Sequence, residues 1–122
     1  MIQITPHIRI FLCKEPVDFR KGIDGLACIC RNILSKDPFS GSMFIFRNKK
    51  RTTLKILLYD GQGFWLFIKR LSKGRFSWWP NNQNGGTCTL TLPLSAPELH
   101  LLIWNGDPST ASIGPDWKKI AA

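Results

Sequence analysis

The fold is decided by residues 42–71, which read SMFIFRNKKRTTLKILLYDGQGFWLFIKRL. Three apolar runs, at 42–46, 53–59 and 64–71, are separated by two turns. The first turn is the charged stretch 47–51, and the second is DGQG at 60–63, where glycine supplies positive φ. Short apolar runs bounded by such turns predict three strands in an antiparallel meander.

A strand and a helix are predicted before the meander. Residues 2–12 indicate one short strand or extended arm that is interrupted at Pro6. Apolar side chains then recur at spacings of three and four from Phe19 to Leu34, which is typical of a helix with one buried face. Asp18 suits the N-cap of this helix, which we expect to end near Ser35, before a proline turn.

A further strand and a second helix are predicted after the meander. Residues 87–92, TCTLTL, alternate as a half-buried strand does. Ser95 and Glu98 form the sequence signature of a capping box, and Gly106 is the expected stop of the helix that follows. Together these patterns predict a single α+β domain over 1–106, a meander of three to four antiparallel strands packed by an N-terminal and a C-terminal helix. Residues 107–122 are expected to form a loosely ordered tail.

The composition indicates the cellular compartment. The chain has 122 residues, of which 43% are apolar, and no run approaches the roughly 18 apolar residues of a membrane span. The N-terminus lacks the pattern of a signal peptide. The four cysteines do not show the paired spacing of a zinc site. We therefore expect a cytoplasmic protein with reduced thiols, no metal and no membrane partner.

Charge is the strongest functional signal. The net charge is +9, and only one acid, Asp60, lies between Arg47 and Arg75. A cluster of cations on neighbouring strands and turns can neutralise phosphates and release counterions, so DNA is the predicted partner. A solvated basic face and an acidic protein partner are the alternatives. The candidate nucleic-acid-binding residues are Arg47, Lys49, Lys50, Arg51, Lys55, Lys69, Arg70, Lys73, Arg75 and Trp79.

Aromatic residues accompany this charge. Trp65, Phe76, Trp78 and Trp79 would stack on bases if exposed, although core packing is the more ordinary role of tryptophan. Because consecutive residues of an extended chain point in opposite directions, one of Trp78 and Trp79 is expected to be exposed.

The search for catalytic residues gives little. The chain has no glycine-rich phosphate loop and no GxSxG sequence, and neither histidine has a nucleophile beside it. The carboxylates are scattered, whereas a nuclease needs several to hold metal ions. We predict that the chain is not an enzyme and needs no cofactor. A metal-dependent nuclease using Asp60 or Asp116 is the outlying alternative.

Four ordered blocks resemble a known family. They are PVDFRKGIDGL (16–26), DPFSG (37–41) with FIFRN (44–48), LKIL (54–57) with YDGQGFW (59–65), and KRL (69–71) with GRF (74–76) and WP (79–80). Over residues 8–106 the chain resembles the accessory protein, often called TnpB, that the second open reading frame of insertion-sequence-66 type bacterial transposons encodes. Departures from the family pattern are the pair Cys28 and Cys30, the pair Trp78 and Trp79, and the loop 81–86.

The resemblance implies a bacterial mobile element and a separate, co-encoded transposase that has its own acidic triad. It implies a role in transposition and supplies no active site. Two hypotheses follow. The chain is either an accessory factor that binds DNA at the transposon ends, or an adaptor that docks on the transposase through Gly61–Trp65 and exposed aromatic side chains. The oligomeric state is left open.

Overall fold

A computed structural model describes residues 8–79 and 90–106 of the chain. The described elements are β1 Ile10–Cys13, α1 Ile23–Asn32, β2 Met43–Arg47, β3 Thr53–Tyr59, β4 Phe64–Arg70, β5 Thr91–Leu94 and α2 Ala96–Ile103. The strands form one sheet in the order β4-β3-β2-β1-β5. This is an α+β fold with a mixed five-stranded sheet. No helix among the described residues is long and apolar enough to cross a membrane.

The predicted meander is confirmed. β2 pairs antiparallel with β3, and β3 pairs antiparallel with β4 in an unbroken register from Thr53 opposite Arg70 to Tyr59 opposite Phe64. The turn between β3 and β4 contains Gly61 at a φ of 98°, a backbone conformation that favours glycine.

The strand count and the direction of one strand differ from the prediction. The sheet has five strands rather than three to four, and β1 runs parallel to β2. Two parallel neighbours need a crossover connection, and α1 lies within the one that joins them. β5 then pairs antiparallel with β1 on the outer side. The first predicted strand is described only from residue 8, and residues 87–89 of the last one lie outside the described residues.

Helix α1 is shorter than predicted. Its N-cap is Gly22, without a side-chain cap, rather than Asp18. The Asp18 carboxylate instead accepts hydrogen bonds from the backbone and guanidinium of Arg20, with a shortest ion-pair distance of 2.9 Å. The helix ends where Ser35 adopts a φ of 55° and the Lys36 amide donates to the Cys30 carbonyl. Asp18 therefore stabilises the turn before the helix and not the helix itself.

Helix α2 begins as predicted. The Glu98 amide donates to Ser95 Oγ at 3.2 Å, and the Ser95 amide donates to Glu98 Oε1 at 3.0 Å. This is the complete capping box. At the other end Asn105 takes a φ of 57°, and the Gly106 amide donates to the Leu101 carbonyl at 2.7 Å, which closes the helix just before the predicted stop.

The sheet is covered on both faces, and each face has its own core. α1 packs on one face over Phe44, Phe46 and Leu57. On the other face Leu99 and Leu102 of α2 join the core, together with Phe76 and Trp79 from the segment after β4. Because β2 and β3 are buried on both sides, they read as continuous apolar runs. β4 lies at the edge of the sheet and keeps several large side chains exposed.

Candidate nucleic-acid interface

A hydrogen-bonded turn between β2 and β3 carries Lys49, Lys50 and Arg51. Between β2 and β3, the Asn48 side chain accepts the Thr52 amide at 2.9 Å and donates to Thr52 Oγ1 at 2.8 Å. The Asn48 carbonyl also accepts the Arg51 amide, and Arg51 has a φ of 59°. These hydrogen bonds close a turn from Asn48 to Thr52. Lys49 and Lys50 consequently occupy the exposed tip of the turn.

The chain after β4 folds back against this turn. The Leu71 amide donates to the Thr52 carbonyl at 2.9 Å, and the Phe76 amide donates to the Arg51 carbonyl at 2.8 Å. Phe76 itself is only 1% exposed, so its ring anchors the segment in the core. Lys73 and Arg75 lie between Leu71 and Phe76 in the chain. They are therefore held beside the turn between β2 and β3.

Asn105, at the end of α2, fixes the same segment from the other side. Its Oδ1 accepts the Ser77 amide at 2.9 Å, and its Nδ2 donates to the Arg75 carbonyl at 3.2 Å. In the sequence this asparagine signals only a helix stop beside Gly106. Its role in positioning Arg75 depends on contacts about 30 residues away in the chain, which no local pattern shows.

Six of the predicted cations therefore lie at one end of the sheet, which we call the basic end. All six are exposed, and none pairs with a carboxylate among the described residues. Asp60 lies beyond the opposite end of β3, about 20 Å away at the usual rise per strand residue. The basic end consists of Lys49, Lys50, Arg51, Arg70, Lys73 and Arg75.

Arg47 borders the basic end but is half-buried. Its guanidinium lies 5.6 Å from the centre of the Trp79 ring, and its Nη1 donates to the Asn48 carbonyl at 3.3 Å. Its Nε is buried without a hydrogen-bond partner. Burial lowers the pKa of Arg47, as does nearby Arg51, whereas Glu15 raises it. Arg47 thus adds to the positive electrostatic potential of the basic end, while its side chain packs on Trp79.

Lys69 lies on the face of β4 that α2 covers. Its Nζ donates to the Ile103 carbonyl, at the C-terminal end of α2, and lies 5.0 Å from the centre of the Trp104 ring. Partial burial lowers the pKa of Lys69. Because a helix C-terminus attracts cations, this lysine ties the edge strand to α2 and is not free at the surface.

Lys55 and Trp79 lie in the interior, not on the predicted binding surface. Lys55 is 7% exposed, and its Nζ donates to the carbonyls of Phe19 and Lys21, each at 3.0 Å. Trp79 is 8% exposed and donates from Nε1 to the Cys13 carbonyl at 3.2 Å. Both residues hold neighbouring segments in place, so neither reaches a ligand at the surface. Trp78, the other member of the tryptophan pair, is half-buried.

The sequence interpretation missed several exposed apolar side chains. Trp65 and Phe67 of β4 are 47% and 40% exposed, and their nearly parallel rings lie 6.0 Å apart. Ile68 and Trp104 are more than half exposed. Only Trp65 stood out in the sequence as a candidate for stacking. The alternation that would have revealed Phe67 is hidden because β4 is apolar on both faces.

Comparison with known proteins identifies the family. The family model described as "IS66 Orf2 like protein" matches residues 8–107. The chain belongs to the IS66 Orf2-like family. Two similar proteins come from Sinorhizobium fredii (strain NBRC 101917 / NGR234). "Uncharacterized protein y4jC" is 32% identical over 98% of this chain and 90% of its own length, and "Uncharacterized protein y4hO" is 34% identical over 78% and 82%. No solved structure matches the chain. Membership associates the chain with transposition in an accessory role.

Asp60 of this IS66 Orf2-like chain organises a turn. Its Oδ1 accepts the amides of Gln62 and Gly63 at 2.8 and 2.9 Å, and its Oδ2 accepts Trp65 Nε1 at 2.7 Å. These bonds, the one from Trp65 first, lower the pKa of Asp60 to about 2. Both oxygens are therefore engaged by the protein, which argues against Asp60 as a metal ligand. Within 8–79 and 90–106 no three His, Cys, Asp or Glu residues cluster as a metal site; Asp116 lies outside these ranges.

The pH dependence of Asp60 gives a first prediction. Since its pKa is lower in the folded chain than its ordinary value of 3.8, the ionised carboxylate stabilises the fold above about pH 4 and loses this effect as pH falls toward 2. The difference in melting temperature between wild type and Asp60→Asn should be greatest near pH 5 and shrink toward zero as pH falls through about 2. The Trp65 indole proton should titrate with the same midpoint in NMR spectra. A midpoint at the ordinary value would contradict the hydrogen-bonded geometry.

The described cysteines divide by exposure. Cys13 and Cys30 are buried, whereas Cys28 is exposed, and all three are free thiols. Burial raises the pKa of Cys13, and it raises that of Cys30 to about 12. The two buried thiols therefore act as small apolar core groups. Cys88 lies outside the described residues.

Proposed function

We propose that this chain is a non-catalytic accessory protein of transposition that acts in the bacterial cytoplasm and binds DNA at the transposon ends through the basic end. The observation that supports this most directly is that the turn with Lys49, Lys50 and Arg51 lies beside the segment with Lys73 and Arg75. Backbone hydrogen bonds from Leu71 and Phe76 hold them together, and Asn105 fixes them to α2. The cations therefore extend from segments that hydrogen bonds hold together.

Phosphate is the ligand that suits this arrangement. The six side chains extend into solvent without a carboxylate partner among the described residues, so the fold leaves their charge uncompensated. A polyanion that neutralises several of them gains the entropy of counterion release. Their origin in turns and at a strand end favours contact with a DNA backbone over a small anion.

A salt titration tests the proposal. Purified protein is mixed with a labelled duplex from the element's terminal repeat, a scrambled duplex and a single strand. If all six cations contact phosphates, the slope of log K against log salt should be about −5, and affinity should fall about 10³-fold between roughly 50 and 200 mM salt. Preference for the terminal repeat would make the protein a targeting factor. No binding at about 50 mM salt would overturn the proposal.

Two charge reversals with equal net charge locate the contact. Lys49→Glu with Lys50→Glu changes the exposed tip of the turn and leaves Arg51, with its left-handed backbone, in place. Arg9→Glu with Arg31→Glu removes two exposed cations at the other end of the sheet, where Arg31 lies over Phe39. The first pair should reduce the slope by about two and weaken binding sharply, and the second should have little effect. Equal losses would mean that net charge alone drives binding.

The second candidate function is an adaptor that docks on the transposase. The exposed rings of Trp65 and Phe67, next to the block Gly61–Trp65, favour it, because exposed aromatic side chains are typical anchors of protein interfaces. If the titration shows no DNA binding, co-purification with the element's transposase after nuclease treatment would select this function.

A further inference from the structure

Among the described residues, β4 is an edge strand whose outward backbone groups have no partner. In the described sheet only β3 pairs with β4. At the two ends of this pairing, the Leu71 amide donates a hydrogen bond to the Thr52 carbonyl, and the Asp60 amide donates one to the Gly63 carbonyl. Antiparallel ladders alternate between paired and unpaired positions. The residues of β4 whose N–H and C=O groups point away from β3 are therefore Phe64, Leu66, Ile68 and Arg70.

Within 8–79 and 90–106 this edge has little of the usual protection. Natural edge strands are kept apart by proline, bulges, short length or free lysines. β5, at the other edge of the sheet, has only four residues and contains Pro93. β4 has seven residues in unbroken register and no proline, and its one lysine, Lys69, is bonded to the end of α2. Its exposed Trp65, Phe67 and Ile68 make it a favourable surface for another strand.

We propose that a second copy of this chain occupies the edge, with the two β4 strands antiparallel about a two-fold axis at Phe67. Only groups that point outward on both strands can bond, and the two-fold registers that use at least three outward residues of each strand have their axis at Leu66, Phe67 or Ile68. The register at Phe67 pairs Leu66 with the partner's Ile68, and Phe64 with the partner's Arg70. It is the register that uses all four outward residues of each strand.

The distribution of charge along β4 favours the same arrangement. The strand begins with aromatic residues and ends with Lys69 and Arg70. In the Phe67 register, Arg70 faces the partner's Phe64, which places an exposed cation beside an aromatic ring, whereas Lys69, opposite the partner's Trp65, stays bonded to the end of α2. A parallel pairing would set like charges side by side. Antiparallel pairing is therefore complementary in charge as well as in hydrogen bonding.

The pairing also covers the exposed apolar side chains of the strand. Facing residues of an antiparallel pair lie on the same face of the sheet, so Phe67 meets the partner's Phe67 and Ile68 meets the partner's Leu66. Arg70 is the one residue that the basic end and this edge share; Lys49, Lys50, Arg51, Lys73 and Arg75 lie outside β4 and stay accessible. The dimer does not depend on DNA binding, and either proposal can fail alone.

Light scattering after size exclusion tests the association. Wild-type protein at tens of micromolar should show twice the 13.9 kDa of one chain. Ile68→Lys places an ammonium group opposite Leu66 twice per dimer and should raise the dissociation constant about tenfold or more. Leu90→Lys is the matched control, because Leu90 is also an exposed aliphatic residue but lies beside β5 at the far edge. A monomeric wild type, or a dimer that Leu90→Lys alone weakens, would overturn the proposal.

Disulfide trapping tests the register. In a chain that carries Cys28→Ser and Cys88→Ser, Phe67→Cys should form a cross-linked dimer on mild oxidation, because the two positions at the axis lie about 4.5 Å apart between Cα atoms. Trp65→Cys is the control, since its copies would lie about 13 Å apart. Efficient cross-linking at position 65 but not at 67 would exclude this register, and so would cross-linking at neither position.

Discussion

Replacing Lys55 with glutamate is expected to lower the free energy of unfolding by about 3–5 kcal/mol, the usual effect of leaving a buried charge uncompensated. The Nζ of Lys55 lies between the carbonyls of Phe19 and Lys21, in the segment that leads into α1, and next to the Phe19 ring. A carboxylate at this place would face two carbonyl oxygens and could accept no hydrogen bond from them. Urea denaturation of wild type and variant, monitored by tryptophan fluorescence, measures the change.

Two further substitutions separate the buried lysine from the surface cations. Lys55→Met keeps the apolar stem and loses two hydrogen bonds, so the expected loss is about 1–3 kcal/mol. Arg70→Glu changes an exposed residue on the neighbouring strand and should shift stability by no more than about 0.5 kcal/mol. The folded Lys55→Met variant should bind DNA like wild type. A loss of DNA affinity as large as that of Lys49→Glu with Lys50→Glu would mean that Lys55 is exposed and contacts DNA.

The contrast between Lys55 and the turn residues shows how far the sequence specifies the site. Lys49 and Lys50 lie between two apolar runs, where a turn must be exposed, so their accessibility follows from the local pattern. Lys55 lies inside a run whose neighbours are buried on both faces of the sheet. Its direction depends on where α1 packs. That contact joins positions about 35 residues apart in the chain, and no short window contains it.

The same reasoning applies to the sheet. The meander is specified locally, because each pair of strands is joined by a short turn with suitable residues. The parallel neighbour β1 lies on the far side of a crossover, so its direction is decided by packing on both faces of the sheet and not by a turn. The capping box of α2 is again local and was predictable, whereas the contacts of Asn105 with the chain at Arg75 and Ser77 were not.

Phe76→Ala is expected to cost about 3–5 kcal/mol of stability and to disturb the basic end as well. The ring is 1% exposed in the core beneath α2, and its backbone amide holds Arg51. The substitution keeps the amide hydrogen bond to Arg51 but removes the ring that holds the segment from Leu71 to Phe76 in the core. Phe39→Ala is the control, because Phe39 is 48% exposed and packs on Tyr59 and Phe64 at the other end of the sheet. The Phe39→Ala variant should lose about 1 kcal/mol of stability.

The two phenylalanine variants also test whether rigidity of the basic end matters for DNA binding. At a temperature where both variants are folded, Phe76→Ala should weaken binding and Phe39→Ala should not, although both keep every cation. The physical reason is entropic: cations on a loosened loop must be ordered when they bind, which reduces the net gain from each phosphate contact. If both variants bind like wild type, charge density alone accounts for affinity, and the Phe76 ring serves only the fold.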